Sequence, residues 1–258
     1  MGTLKINKSS SLITAKKVIE LKIDAFKNLK KSINKNFDNA VNAIVNCQSK
    51  IILCGVGKSG LIATKIAATM SSVGCPAFSL SANDCLHGDL GSITRKDVLI
   101  LISNSGKSEE IIPIIKFANR NKIKLIGIVS KKSSVLYKAS DIKILLPEVK
   151  ESGLGIVPTS STSVQLAIGD ALAIASLNKK KFSKYDFSRL HPGGNLGKQL
   201  KTVGDIMSTG TKIPFINENK NMNDATKIIT KKKLGVLISH NKNKFTTGII
   251  TDGNVRKL

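Results

Sequence analysis

The sequence predicts an α/β fold, a parallel sheet sandwiched by helices, with a small α+β segment at the C-terminal end. Three observations carry that expectation. The runs Lys50-Ile-Ile-Leu-Cys54, Val98-Leu-Ile-Leu-Ile102 and Lys124-Leu-Ile-Gly-Ile-Val129 are short and almost wholly apolar, which suits strands buried on both faces. Stretches with helical or small-residue texture follow them, and strand alternating with helix is the pattern of a helix-covered parallel sheet. At 258 residues, 41% of them hydrophobic, the chain is long enough to bury a sizeable core.

Taken in order, Ile13, Val18, Leu21, Phe26, Leu29, Ile33, Phe37, Val41 and Ile44 recur at helical spacing with lysines between them. Residues 1–47 are therefore expected to form a helical arm of one or two amphipathic helices, for packing or oligomerisation. The first strand ends in glycine and leads into a helix over 61–73. Ile142-Lys-Ile-Leu-Leu146 adds a fourth strand, and a helix is expected over 164–177. This central domain takes residues 48–201. Beyond Gly197 the texture becomes polar and broken. A helix over 222–232 and strands at 234–238 and 247–251, joined by the turn-prone His240-Asn-Lys-Asn-Lys244, point to a separate domain at 202–258.

The net charge of +24 invites a nucleic-acid reading. Its makeup argues against one, since the basic residues are nearly all lysine, with arginine only at Arg95, Arg120, Arg189 and Arg256. Groove and strand readers rely on arginine forks and aromatic platforms, and this chain has no Trp and two Tyr. Lysine scattered beside Asn and Ile fits a compositional bias, though a positive field helps to attract a phosphorylated substrate. No apolar run approaches the ~18 residues of a membrane span, and the first residues lack a signal-peptide core. A cytoplasmic protein is expected, with Cys47, Cys54, Cys75 and Cys85 as reduced thiols lacking metal-ligand spacing.

Sites in parallel sheets lie at the carboxyl ends of the strands. Gly55-Val-Gly-Lys-Ser-Gly60 follows the first strand and matches the dinucleotide fingerprint formally, but no acidic residue stands at the end of the next strand. Nor is it a Walker loop. A tight turn carrying Lys58 and Ser59 to a helix N-terminus remains, suited to a phosphate or oxyanion, or else to a plain glycine turn. Ser103-Asn-Ser-Gly-Lys-Ser108, before Glu109 and Glu110, repeats the pattern as a second anion cradle or as N-caps. Two further clusters are Glu151 with Pro158-Thr-Ser-Ser-Thr162, and His191-Pro-Gly-Gly-Asn-Leu-Gly197.

These motifs, together with His87-Gly-Asp-Leu-Gly91 and Gly169-Asp-Ala-Leu172, resemble those of the sugar isomerase (SIS) domain proteins. The match is nearest to the arabinose-5-phosphate isomerases, which join a flavodoxin-like SIS domain to C-terminal CBS repeats. The resemblance runs from about Lys8 to the last residue. It implies conversion of D-ribulose 5-phosphate to D-arabinose 5-phosphate, leading to Kdo and lipopolysaccharide, by a homotetramer with no organic cofactor and no required metal. The family's functional positions fall on Lys58, Glu110, Glu151 and His191.

Aldose–ketose exchange through an enediolate needs a base, a stabiliser for the oxyanion and a second proton carrier. Glu151, with its pKa raised by partial burial, is expected as the base, with Glu110 as its rival. His191 is assigned ring opening or proton shuttling, and Lys58 the charge on the oxyanion or phosphate. Ser103, Ser105 and Ser108, aided by Ser59, are expected to bind the phosphate. His87 is a candidate supporting residue or ligand of an inhibitory metal.

The chain departs from the pattern at two places. Lys107 stands where the family usually has Glu. The family generally carries two CBS repeats, whereas this sequence resembles one repeat, incomplete at its final helix, with Thr251-Asp-Gly-Asn254 near its end. Two alternatives stay open: a non-catalytic sugar-phosphate sensor built on the same fold, and an isomerase for another sugar phosphate.

Overall fold

The computed structural model describes residues 11–191 and 201–257. Helix α1 (Ser11–Ser32) buries only Ala25 and Leu29, leaving Leu12, Ile13, Ile19, Ile23 and Phe26 exposed. The chain breaks at Asn34, whose side chain accepts from the Asn36 N–H and starts α2 (Lys35–Val45).

Five parallel strands follow: β1 (Ile51–Gly55), β2 (Ala77–Ser81), β3 (Val98–Ile102), β4 (Lys124–Val129) and β5 (Ile142–Leu145). Their order is β2-β1-β3-β4-β5. The four apolar runs of the sequence are β1, β3, β4 and β5. The second strand escaped that reading because it lies at the sheet edge, half-buried, with the mixed sequence AFSLS. Helices α3 (Lys58–Ser72), α4 (Ala82–Cys85), α5 (Ile111–Arg120), α6 (Val135–Ala139), α7 (Ser160–Lys179) and α8 (Lys184–Leu190) complete this unit.

Alternation along the strands builds two cores. Leu53, Ile100, Ile102, Ile126 and Ile128 point to the side of Val41 and Ile44 of α2, Ile66 and Met70 of α3, and Val164 and Leu172 of α7. Ile52, Cys54, Leu99, Leu101 and Leu125 point the other way, to Ile111, Ile114 and Ile115 of α5 and Leu136 of α6. Each such side chain contributes roughly 1.5–3 kcal/mol when fully buried. Helices α3 and α7 meet closely because Gly169 has no Cβ: one would lie 2.2 Å from Ile66. Asp170 beside it pairs with Lys65, so the motif Gly169-Asp-Ala-Leu172 serves packing.

At the amino ends of the strands, the buried Asp97 carboxylate accepts from the Lys50 N–H (3.2 Å), the Lys50 ammonium (3.2 Å), the Thr94 N–H (2.7 Å) and the Thr94 hydroxyl (2.9 Å). Burial pushes that carboxyl up, but hydrogen bonds from Thr94, Ser49 and Lys50 outweigh it and hold it below the usual range. The opposite, carboxyl ends are left open. From β1 the chain moves outward to β2 and then returns to β3 on the other side of β1. Loops after β1 and β3 therefore diverge, which creates the crevice of a topological switch point.

Residues 198–258 form a second compact unit. Its described elements are α9 (Val203–Ile206), β6 (Phe215–Asn217), α10 (Met222–Lys232), β7 (Val236–His240) and β8 (Thr246–Thr251), followed by a helical turn at Asp252–Val255. The order β6-β7-β8 pairs β6 and β7 parallel and β7 and β8 antiparallel. Ile216, Ala225, Ile229 and Leu237 form the core. The helix over 222–232 and the hairpin match the sequence expectation. The three-residue β6, too short to show a period, does not figure in it.

Candidate active site

The crevice between β1 and β3 holds a cavity of about 220 Å³ lined by Val56, Ser59, Ile102, Ser103, Asn104, Ser105 and Ser108. All four serines expected to bind phosphate thus face one space. Its first wall depends on Gly55, where a Cβ would lie 2.9 Å from the Ile102 carbonyl oxygen and 2.9 Å from Ser59 backbone atoms. Only glycine lets the start of α3 come this close to β3.

The second wall holds its own shape. Ser103 Oγ accepts from the Gly106 N–H (3.0 Å) and lies 3.5 Å from Ser108 Oγ, while Ser105 Oγ accepts from the Lys107 N–H (3.3 Å). The Asn104 carbonyl and side-chain oxygens both accept from the Ser130 hydroxyl, at 2.7 and 3.0 Å. Ser105 Oγ, which only accepts here, keeps its proton for another acceptor, and of Ser103 and Ser108 one donates to the other. Ser59 differs, because it donates to Gln165 Oε1 of α7 at 3.1 Å.

Lys58, Glu110, Glu151, His87 and His191 stand outside this lining. Lys58 is exposed in the first turn of α3 beside Ser59. Glu110 precedes α5, two residues after Ser108, half-buried and with no capping bond to the helix. His87 is exposed beyond α4.

Glu151 is held at the N-terminus of α7, where its carboxylate accepts from the Thr159 N–H (2.8 Å), the Thr159 hydroxyl (3.0 Å), the Ser160 N–H (2.8 Å) and the Ser161 N–H (3.2 Å). Burial pushes this carboxyl up, yet the bonds from Ser161, Thr159 and Ser160 bring it below the ordinary range. That is the reverse of the shift expected of a base. Glu151 lines a different hollow, about 520 Å³, shared with Ile13, Lys17 and Leu21 of α1.

His191 ends α8. Its ring stacks on Phe187 at 3.9 Å, and Nδ1 lies 2.8 Å from the Phe187 carbonyl oxygen. A carbonyl only accepts, so Nδ1 carries a proton, and Nε2 is the acceptor whenever the ring is neutral. The rest of the His191 motif, residues 192–197, lies outside the described residues.

Two residues at this site were not foreseen. Asn104 sits inside the quoted serine motif, and its place between Ser103 and Ser105 was the available signal. Gln165 is one amide in an apolar helix and gave none. Among the described residues no group of three His, Cys, Asp or Glu side chains could hold a metal, and the four cysteines are free. No described helix is long and apolar enough to cross a membrane.

The SIS domain model matches residues 44–175, and the CBS domain model matches residues 203–258. The chain is 41% identical over 245 residues to the arabinose 5-phosphate isomerase KdsD of Yersinia pestis, covering 94% of this chain and 75% of that protein. It is 40% identical to the protein of the same name from Escherichia coli K12, with the same coverage. Among solved structures, the c3406 protein of E. coli CFT073, in complex with arabinose 5-phosphate, superposes with a TM-score of 0.68 at 36% identity, over 71% of this chain and 99% of that one. A putative phosphosugar isomerase from Bacteroides fragilis gives a TM-score of 0.68 at 32% identity, over 72% and 99%.

Proposed function

The chain belongs to the arabinose 5-phosphate isomerase family of SIS-domain proteins, and on that premise we propose that it interconverts D-ribulose 5-phosphate and D-arabinose 5-phosphate through an enediolate. The single observation that carries this reading is the convergence of Ser59, Ser103, Ser105 and Ser108 on one cavity at the switch point. Four hydroxyls at the ends of two strands suit a phosphate dianion, and Lys58 adds a cation beside them.

From the ketose, a base removes a proton from C1 and the electron pair forms the C1–C2 double bond, leaving charge on O2. Protonation at C2 and transfer of a proton from O1 to O2 then yield the aldose. Glu110 is our choice of base, because its carboxylate makes no cap and follows directly on the phosphate cradle. Glu151 spends its lone pairs on α7, which lowers its basicity and suits it to fixing the site. His191, whose Nε2 has no hydrogen-bond partner among the described residues, carries the proton between O1 and O2 or opens the sugar ring. Lys58 steadies the oxyanion or phosphate, and His87 stays at the margin.

The same reading makes the protein a cytoplasmic homotetramer whose product feeds Kdo and lipopolysaccharide synthesis. The exposed apolar row on α1 supports assembly, and the names of the relatives support the route. It also keeps three parts: an arm at 1–47, the SIS domain at 48–201 and a CBS segment at 202–258.

The test is exchange of solvent deuterium into C1 and C2 of D-ribulose 5-phosphate, with hexose 6-phosphates as controls. Glu110→Gln is expected to slow exchange by about 100-fold or more. If Glu151→Gln stops exchange and Glu110→Gln does not, the two carboxylates trade roles. Absence of exchange with any sugar phosphate, despite binding, would leave a sensor.

A further inference from the structure

Ser59 is the cradle serine whose proton goes to a side chain behind the cradle, whereas Ser103 and Ser108 lie within hydrogen-bond distance of each other. Ser59 donates to Gln165 Oε1 at 3.1 Å. Gln165 is fully buried, and its Nε2 has no hydrogen-bond partner among the described residues. An amide in that state is half-used: its acceptor end holds the Ser59 proton while its donor end is idle.

The two ends of a glutamine amide have nearly the same shape, so a half-turn about the last side-chain torsion exchanges them without repacking α3 against α7. After that turn Nε2 donates to Ser59 Oγ. The Ser59 hydroxyl must then direct its own proton elsewhere, and the cavity that Ser59 lines lies open to it. One buried bond is made for each one lost, so the two orientations lie close in free energy and an anion can select between them.

We propose that Gln165 is a positioning residue for phosphate: its amide turns when a phosphoryl group enters, and thereby releases the Ser59 proton to it. The inference rests on the phosphate reading of the cradle given above. No covalent step is involved.

Gln165→Glu and Gln165→Met separate this role from packing. A carboxylate can only accept, so Gln165→Glu keeps the Ser59 proton and adds negative charge behind the cradle. Titration with inorganic phosphate is expected to show binding about tenfold weaker or more, with KM for the sugar phosphate raised in parallel and kcat within about twofold. Gln165→Met fills the same space, frees Ser59 and is expected to bind phosphate within about threefold of the parent. In a Ser59→Ala background the tenfold gap between Gln165 and Gln165→Glu should shrink. Equal binding by Gln165→Glu and the parent overturns the proposal, as does equal weakening by Gln165→Met and Gln165→Glu.

A second measurement needs no folded glutamate variant. The chain has three glutamines, Gln48, Gln165 and Gln199. In protein labelled with ¹⁵N-glutamine, the side-chain signal missing from Gln165→Met belongs to Gln165. It should move on addition of inorganic phosphate and saturate with the binding curve; an unmoved signal on a bound protein refutes the turn. If the phosphate results hold while no sugar phosphate exchanges deuterium, the isomerase reading falls and Gln165 keeps its role. If exchange proceeds and Gln165→Glu binds like the parent, the reverse follows.

Discussion

The serine cradle and the start of α7 use the same chemistry to opposite ends. Both gather N–H and O–H donors where a helix begins after a strand or loop. At α7 the chain supplies its own anion, Glu151, which takes three amide protons and a hydroxyl proton. In the cradle the amides of Gly106 and Lys107 go to serine oxygens instead, and among the described residues no carboxylate lines the cavity. The difference teaches how a donor cluster that already holds the chain's own anion is told from one that holds none, and it makes the second the candidate binding site.

The contrast breaks most completely if the cradle is given its own anion. Ser108→Asp places a carboxylate beside Ser103, as Glu151 stands at α7. Binding of the sugar phosphate is expected to weaken by at least about 100-fold, roughly 2.7 kcal/mol, read as Kd or KM. A variant that binds within threefold of the parent would remove phosphate from the cavity.

The converse change takes the anion away from α7. Glu151→Ala leaves three amides of the first turn without their acceptor, and a loss of about 1–2 kcal/mol is expected in urea unfolding. The pH dependence fixes the sign. Because the folded carboxyl titrates below the unfolded one, its contribution is complete above about pH 4.3 and is lost as pH falls through the depressed folded value. The stability gap between parent and Glu151→Ala should therefore close in acid and stay constant at neutral pH. A gap that persists at pH 2 would assign the loss to packing.

The smallest effect tests the cradle's rim. Lys107 is exposed, and its N–H, not its ammonium, holds Ser105. Lys107→Glu is expected to raise KM by about twofold or less, vanishing in high salt, since exposed charges are screened. A tenfold, salt-resistant change would put the ammonium inside the site.

Which parts of this were legible in the sequence follows from how local their signals are. Ile51 to Gly55 and Val98 to Ile102 are buried on both faces, so their strands show as unbroken apolar runs. Ala77 to Ser81 and Phe215 to Asn217 are half-exposed or very short and show no such run. Ser59, Ser103, Ser105 and Ser108 were readable because each follows a strand within a few residues. Glu151 stood out in the sequence as a candidate, but its depressed carboxyl was not legible there, since the shift comes from a loop that folds back to bring Thr159 to Ser161 around it. Gln165 could not be found at all: its hydrogen-bond partner among the described residues is 106 residues away.

The cradle is built across β1 and β3, whose register pairs Gly55 with Ile102, one residue before Ser103. A slip of one residue between these strands would move Ser59 by about 3.3 Å relative to the other serines. With phosphate bound as proposed, the ligand acts as a gauge of strand alignment. Chains aligned as here would be captured by the ligand and drawn toward the native state by mass action, while a misregistered sheet, however well it buried its isoleucines, would gain nothing from it.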